Sequence, residues 1–220
     1  MLNLPSTRNI DTPTLAASAE ACDAGCSNWR QALPLLAGEG VTLRALRASD
    51  APTLLAMLTT DEVARFISPP PSTVEGFEKF IAWTHRQLMD GRYLCFGIVP
   101  AGHTDAVGLI QVRALDKAFG LAEWGFAIGS EFWGTGIFQA SARAVLDFVF
   151  AELPVYRLEA RAVTENGRGN GALRKIGASC EAVLRQSFQR GATRMDQMLW
   201  SIGRQDWIFM NAATWKGQVH

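Results

Sequence analysis

The run Ile128-Gly129-Ser130-Glu131-Phe132-Trp133-Gly134-Thr135-Gly136-Ile137 carries the most legible chemistry in this chain of 220 residues. A strand-like segment enters it and an amphipathic segment leaves it. Gly134 and Gly136 have no side chain, so backbone N–H groups converge there at the positive end of the following helix, an arrangement that holds phosphate. Three phosphate-bearing ligands can be set against the letters. A Walker loop ends in Gly-Lys-Ser/Thr, whereas Gly136 is followed by Ile137-Phe138. The dinucleotide fingerprint needs a third small residue where Gln139 stands, and it follows the first strand of a parallel sheet. The diphosphate of coenzyme A needs only the turn and an adjacent strand, and a glycine pair that serves the turn alone, with no ligand, is the structural alternative.

The hydrophobic pattern supplies the elements that must position this turn. Alternation over Gly40–Leu46 predicts a strand, and Asp50-Ala51-Pro52 predicts a helix start with Asp50 as the capping side chain. Ser72-Thr73-Val74-Glu75 fits a capping box ahead of a longer helix through Phe77, Phe80, Ile81, Trp83 and Leu88. Strands are expected at Tyr93–Val99, Ala106–Val112 and Leu121–Ile128, joined by Gly- and Pro-containing turns. A helix over Gly136–Phe150, a strand near Tyr156–Val163, a helix over Asn166–Ile176 and two strands near Cys180–Phe188 and Met195–Ile202 complete the order. Several antiparallel strands followed by one strand–helix–strand–helix unit make an α+β fold on a mixed, mostly antiparallel sheet.

Composition limits the class. Twenty-one basic and 21 acidic residues leave no net charge, so no global positive field favours nucleic acid or an anionic membrane. A hydrophobic content of 48% argues against wholesale disorder. No apolar run reaches the roughly 18 residues that span a bilayer, and the N-terminus lacks a basic region followed by an apolar block. Cys22 and Cys26, spaced C-x-x-x-C with no His nearby, are too few ligands for zinc and read as free thiols. With Cys95 and Cys180 they imply a reducing, cytoplasmic setting. Three scattered His residues, His85, His103 and His220, make no catalytic metal centre. Residues 1–38 read as an extension that Trp29, Leu33, Leu35 and Leu36 would dock, 39–203 as the globular domain, and 204–220 as a tail. The aromatic-rich Trp207-Ile208-Phe209-Met210, with Trp215 beyond, would bury on its own body or on a second copy in a homodimer.

From about Gly40 to Ile202 the ordered motifs resemble the GNAT superfamily of N-acyltransferases, most closely the Rim-type branch that acetylates protein N-terminal amines. The family's coenzyme A turn reads R/Q-x-x-G-x-G/A; this chain has Glu131-Phe132-Trp133-Gly134-Thr135-Gly136, which departs at the first position but keeps the aromatic-Trp-Gly-x-Gly run of that branch. Ala122-Glu123-Trp124-Gly125-Phe126-Ala127-Ile128 resembles the family's fourth strand. Asn166-Gly167-Arg168 through Leu173-Arg174-Lys175-Ile176-Gly177-Ala178 resembles its N-x-R-S…L-x-K-L-G-F helix, and Asp196–Trp200 fits its closing hairpin.

The resemblance implies an acetyl-coenzyme A-dependent transferase with a cleft where the fourth and fifth strands splay apart. The main chain of Phe126, Ala127 and Ile128 would pair with the pantetheine arm, and the N–H groups of Trp133, Gly134, Thr135, Gly136 and Ile137 would take the diphosphate. A primary amine, on a small molecule or a peptide N-terminus, would attack the thioester directly. Glu123 is the candidate base, with an ion pair to Arg161 as its structural alternative. Asn166 is expected to cap its helix and, with Asn170 on the same helical face, to contact the cofactor arm. The family's helix often supplies a Ser or Tyr hydroxyl to the departing thiolate; those positions are Gly169 and Leu173, so the acid is unassigned. A non-catalytic acyl-coenzyme A-binding protein on the same fold is the alternative reading.

Overall fold

The computed structural model describes residues 29–211. They form one eight-stranded sheet in the order β1-β2-β3-β4-β5-β6-β8-β7. The strands are β1 (Leu36–Gly38), β2 (Val41–Ala45), β3 (Tyr93–Pro100), β4 (Gly108–Ala114), β5 (Leu121–Ile128), β6 (Arg157–Val163), β7 (Ser179–Arg190) and β8 (Thr193–Gly203). The helices are α1 (Ala51–Leu58), α2 (Asp61–Ala64), α3 (Val74–Met89), α4 (Ile137–Glu152), α5 (Gly167–Lys175) and α6 (Arg204–Met210). Every neighbouring pair is antiparallel except β5 with β6, so the expected α+β fold is the observed one.

Strand alternation sorts the core onto two faces. Leu94, Phe96, Ile110, Val112, Trp124, Ala160 and Trp200 pack with Val145, Leu146 and Val149 of α4. On the opposite face Tyr93, Cys95, Leu109 and Ala127 pack with Leu54 and Leu58 of α1 and with Phe77, Phe80 and Ile81 of α3. The second layer covers the β3–β4 side of the sheet.

Pairing between β5 and β6 holds only for Leu121–Glu123 against Arg157–Glu159. Beyond Glu123 the two strands diverge, while β6 stays paired with β8 along its whole length. A sheet that opens this way leaves one edge of β5 without a partner from about Phe126 to Ile128. The glycine turn lies at the mouth of that opening, and Glu123 at its apex.

Local details differ from the sequence reading in instructive ways. Asp50 does not cap α1; its carboxylate is fully buried, accepts both Nη groups of Arg44 at 2.8 Å, and takes the N–H groups of Arg47 and Ala106 at 2.7 and 3.0 Å. Burial alone would push this carboxyl upward, but the Arg44 hydrogen bonds and the two N–H donors outweigh it and hold it below the usual range. A carboxyl lowered on folding contributes stability above its unfolded value, near 3.9, and loses it as pH falls further. Thermal unfolding scans from pH 6 to pH 2 should therefore steepen below about pH 4 in the native chain, and less so in Asp50→Asn.

At α3 the cap is Thr73, whose hydroxyl accepts from Gly76 N–H at 3.0 Å, one residue later than the capping box predicts. Before Gly40, Trp29 is buried edge-on against Phe119 at 5.9 Å, Leu33 and Leu36 pack on the core, and Leu35 is exposed. After β8, α6 buries Trp207, whose indole donates to Asp147 at 2.8 Å. Cys22, Cys26, Trp215 and His220 lie outside the described residues. Among the described residues no helix is long and apolar enough to cross a membrane, and no group of three or more His, Cys, Asp or Glu is placed to hold a metal ion.

Candidate functional site

Gly134 and Gly136 hold the turn in the left-handed region, with φ of 78° and 88°. Side chains resist that region and glycine does not. A Cβ built on either would meet nothing within 4 Å, so the surface over the turn is open. The hydroxyl of Thr135 donates to the Phe132 carbonyl at 2.8 Å and locks the loop. Its Oγ1 lies 3.4 Å from Ile137 N, and Trp133 N–H already donates to Ser130 O at 3.0 Å. The first helical bond of the next element, Ala140 N to Gly136 O, leaves the earlier amides without helix partners.

Among the described residues, then, the N–H groups of Gly134, Thr135, Gly136, Phe138 and Gln139 meet no acceptor of the protein. They lie together at the N-terminus of the 16-residue α4, where the helix dipole favours an anion. This corrects the sequence reading at both ends. The amide of Trp133 is engaged in the turn, Ile137 is partly occupied by Thr135, and Phe138 and Gln139 were missed because a motif ends where its glycines end.

The strand edge is corrected in the same spirit. Gly129 N–H donates to Val107 O at 3.0 Å, which fixes the phase of the β4–β5 ladder. In an antiparallel ladder the hydrogen-bonded pairs alternate, so Ala127 directs its N–H and C=O to Leu109 on β4, while Phe126 and Ile128 direct theirs to the open side. Of the three residues named from sequence, Ala127 therefore cannot present its main chain to the cleft. The Ile128 carbonyl receives the indole N–H of Trp133 at 3.2 Å. The side chain of Phe126 packs on Phe138, ring centroids 4.2 Å apart, and ties the strand edge to the helix.

At the apex, sheet register lines up Tyr93, Arg113, Glu123, Glu159 and Ser201 across five adjacent strands, on the face that α1 and α3 partly cover. The side chain of Glu123 is 8% exposed. Its Oε2 accepts from Arg113 Nη2 at 2.5 Å, and its Oε1 lies 4.0 Å from Arg161 Nε. The pairing with Arg161 named from sequence is present, and the closer one with Arg113 is additional. Oε1 makes no hydrogen bond to the protein, so one oxygen of a buried carboxylate remains available to accept a proton or an N–H.

On the other side of the opening, Asn166 caps α5, its Oδ1 accepting from Gly169 N–H at 2.8 Å. Asn166→Ala should lower stability by about 1 kcal/mol, read as a shift of the denaturant midpoint with unchanged slope. Asn170 turns inward. Its Nδ2 donates to the carbonyls of Val163 and Asn166, each at 2.9 Å, and its Oδ1 accepts from the Trp200 indole at 2.9 Å. With that carboxamide buried and engaged, the shared helical face brings Asn170 to the β6–β8 core and not to the cleft. Leu173 is fully buried as well. Arg168, which the sequence did not single out, sits over the Trp133 ring at 4.3 Å and bridges the mouth of the opening.

The remaining candidates have structural roles. His85 contacts the Leu46 carbonyl through Nε2 at 2.8 Å, and the Tyr93 hydroxyl donates to Gln111. Burial pushes the Tyr93 hydroxyl and the Cys95 thiol well above their ordinary values. The β7–β8 hairpin, a signal no motif carries, reaches across the Glu123 face: Arg190 donates to the carbonyls of Ala64 and Ile67 in and after α2. The splay between β5 and β6 thus runs from the glycine turn to Glu123, whose face of the sheet also carries α1 and the hairpin-bound α2.

Compared with known proteins, residues 41–179 match the family model described as an acetyltransferase (GNAT) domain. The Bacillus subtilis (strain 168) protein named uncharacterized N-acetyltransferase YoaA is 29% identical over 172 residues, which cover 77% of this chain and 96% of that one. Among solved structures, Mycobacterium smegmatis RimJ in complex with CoA-disulfide shares the fold with a TM-score of 0.69 at 22% identity, covering 82% of this chain and 92% of that one. The ribosomal-protein-S5-alanine acetyltransferase from Vibrio fischeri does so with a TM-score of 0.69 at 18% identity, covering 79% and 98%.

Proposed function

Since this chain belongs to the GNAT acetyltransferase family, we propose that it transfers an acetyl group from acetyl-coenzyme A to a primary amine by direct attack within a ternary complex. One observation carries the reading: five unpartnered N–H groups from Gly134 to Gln139 lie at one end of an unpaired strand edge, and a buried carboxylate with a free oxygen, Glu123, lies at the other. The open space over Gly134 and Gly136 suits a diphosphate held by backbone dipoles. The main chain of Phe126 and Ile128 would pair with the pantetheine arm and lead the thioester toward the apex.

The acceptor amine approaches from the Glu123 face. Its nitrogen lone pair adds to the thioester carbonyl carbon, the carbon–sulfur bond breaks, and coenzyme A leaves as thiolate. The amine arrives as an ammonium, so Oε1 of Glu123 first takes one proton, directly or through one water, and frees the lone pair; the second proton, lost as the amide forms, passes to solvent. A backbone N–H on the β5 edge would stabilise the developing oxyanion. With Gly169 and Leu173 in place of hydroxyl donors, the thiolate takes its proton from solvent. Much of the rate comes from holding both reactants together.

Direct attack, without an acetyl-enzyme, is supported by the two cysteines among the described residues. Cys95 is buried with its thiol pushed upward, and Cys180 pairs with Trp200 on the face opposite Glu123. The likeness to the Vibrio fischeri protein, a ribosomal-protein-S5-alanine acetyltransferase, supports an amine of a protein as acceptor class. Release of free thiol from acetyl-coenzyme A, measured against peptides, amino acids and polyamines, tests the assignment. Amine-dependent release with intersecting initial-rate lines supports it. Binding of acetyl-coenzyme A without turnover across the panel would favour a non-catalytic acyl-coenzyme A-binding role, the reading that the missing hydroxyls keep in play.

A further inference from the structure

We infer that the acceptor carries a carboxylate close to its reactive amine and that Arg161 reads it; this rests on the acetyl-transfer reading of the cleft. Three arginines and three glutamates share this face of the sheet, but they are not evenly paired. Arg157 takes two of the acids for itself: its Nε donates to Glu159 at 3.0 Å, and its Nη1 and Nη2 donate to Glu181 at 2.8 and 2.5 Å. Glu181 also accepts from Ser201 at 2.5 Å. The third acid, Glu123, gives its Oε2 to Arg113 at 2.5 Å.

Arg161 is left over. It stands on β6 two residues past the last pairing with β5, where the strands begin to diverge, so its side chain leans across the apex. Its Nε is buried yet makes no hydrogen bond, and its nearest acid, Glu123 Oε1, is 4.0 Å away. The side chain is 42% exposed, so part of its guanidinium reaches solvent beside Glu123. Arg113 and Arg161 together exceed Glu123 by one positive charge.

An amine arrives as an ammonium, and a locally positive floor repels it unless a negative group comes with it. A guanidinium fork with unmet N–H groups matches a carboxylate in charge and in planar geometry. The same chemistry has two sources: the α-carboxylate of a free amino acid, or an acidic side chain beside the N-terminus of a peptide. A carboxylate seated on Arg161 would bring the amine beside Glu123 Oε1.

Two matched pairs of acceptors test this: alanine against alaninamide, and Ala-Asp-Gly-Gly amide against Ala-Asn-Gly-Gly amide. In the native chain the acidic member of at least one pair should be favoured on the order of 10- to 100-fold in kcat/KM, mainly through KM. The pair that responds identifies the source. Arg161→Gln should collapse the contrast to within about twofold, and Arg161→Lys, which keeps the charge without the fork, should restore part of it. Equal use of both members by the native chain, or a contrast that survives in Arg161→Gln, overturns the inference. Calorimetric titration of the same four acceptors into the protein with coenzyme A reads the contrast without turnover. Absent transfer with an Arg161-dependent binding contrast would therefore overturn the acetyl-transfer reading alone, while absent contrast in binding would overturn the role of Arg161.

Discussion

Replacing Glu123 with Gln is expected to lower kcat for acetyl transfer by about 10²- to 10⁴-fold, with KM for acetyl-coenzyme A changed by no more than a few-fold. The substitution keeps the shape of the side chain and one oxygen for Arg113, so it removes the negative charge and the proton acceptor with little else. Arg113 is half-exposed, and the ion pair it loses is worth little to stability once solvent screens it. A thermal midpoint close to that of the native chain would confirm that the rate loss is chemical. The deficit should also shrink as pH rises past the acceptor's own pKa, near 8 for an α-amine, because the neutral nucleophile then forms without a base. Full activity of Glu123→Gln at pH 7 would remove Glu123 from the reaction. A uniform loss across pH would reduce it to a positioning role for Arg113 and Arg161.

Gly136→Ala is expected to weaken coenzyme A binding by about 10- to 100-fold, the equivalent of losing one charge-assisted hydrogen bond or two. A Cβ at φ 88° meets no protein atom, so any loss comes from the backbone and the ligand. The left-handed conformation costs a side chain roughly 1–2 kcal/mol, and relief of that strain rotates the peptide planes whose N–H groups face the diphosphate. Gly191 provides the matched control. It has φ 57°, open space around its Cβ, and a place in the β7–β8 turn. Gly191→Ala should show the same stability loss and unchanged coenzyme A affinity by titration calorimetry. If both variants bind as the native chain does, the turn does not hold the ligand.

The glycine turn was legible in the sequence because a strand–turn–helix with glycines at fixed offsets encodes backbone conformation directly; Glu123 was named from its strand beside the turn together with the resemblance to the Rim-type branch. What the letters could not carry was phase and distance. Whether Ala127 or its neighbours face the opening depends on which residues of β4 form the hydrogen-bonded pairs, and no periodicity within β5 contains that. Asp50 and Asn170 had the right types for caps and polar contacts, yet each is consumed inside the fold by partners from other elements, Arg44 and Ala106 for one, Trp200 for the other. The Arg190 contact with α2 joins residues 126 positions apart. Arg113 entered the site through cross-strand register with Glu123, which the sequence does not print. The added edge strand Leu36–Gly38 and the short α2 were too brief to show a period.

The proposed function rests on direct transfer from acetyl-coenzyme A to an amine held beside Glu123. A single-turnover experiment with acetyl-coenzyme A labelled in the acetyl carbonyl, followed by intact-protein and product mass spectrometry, tests it most directly. Without amine, the protein should keep its native mass and release no thiol. On addition of a peptide amine, one labelled amide should appear for each thiol released. A labelled acetyl group on the protein before amine is added, or thiol release that ignores the amine, would contradict it.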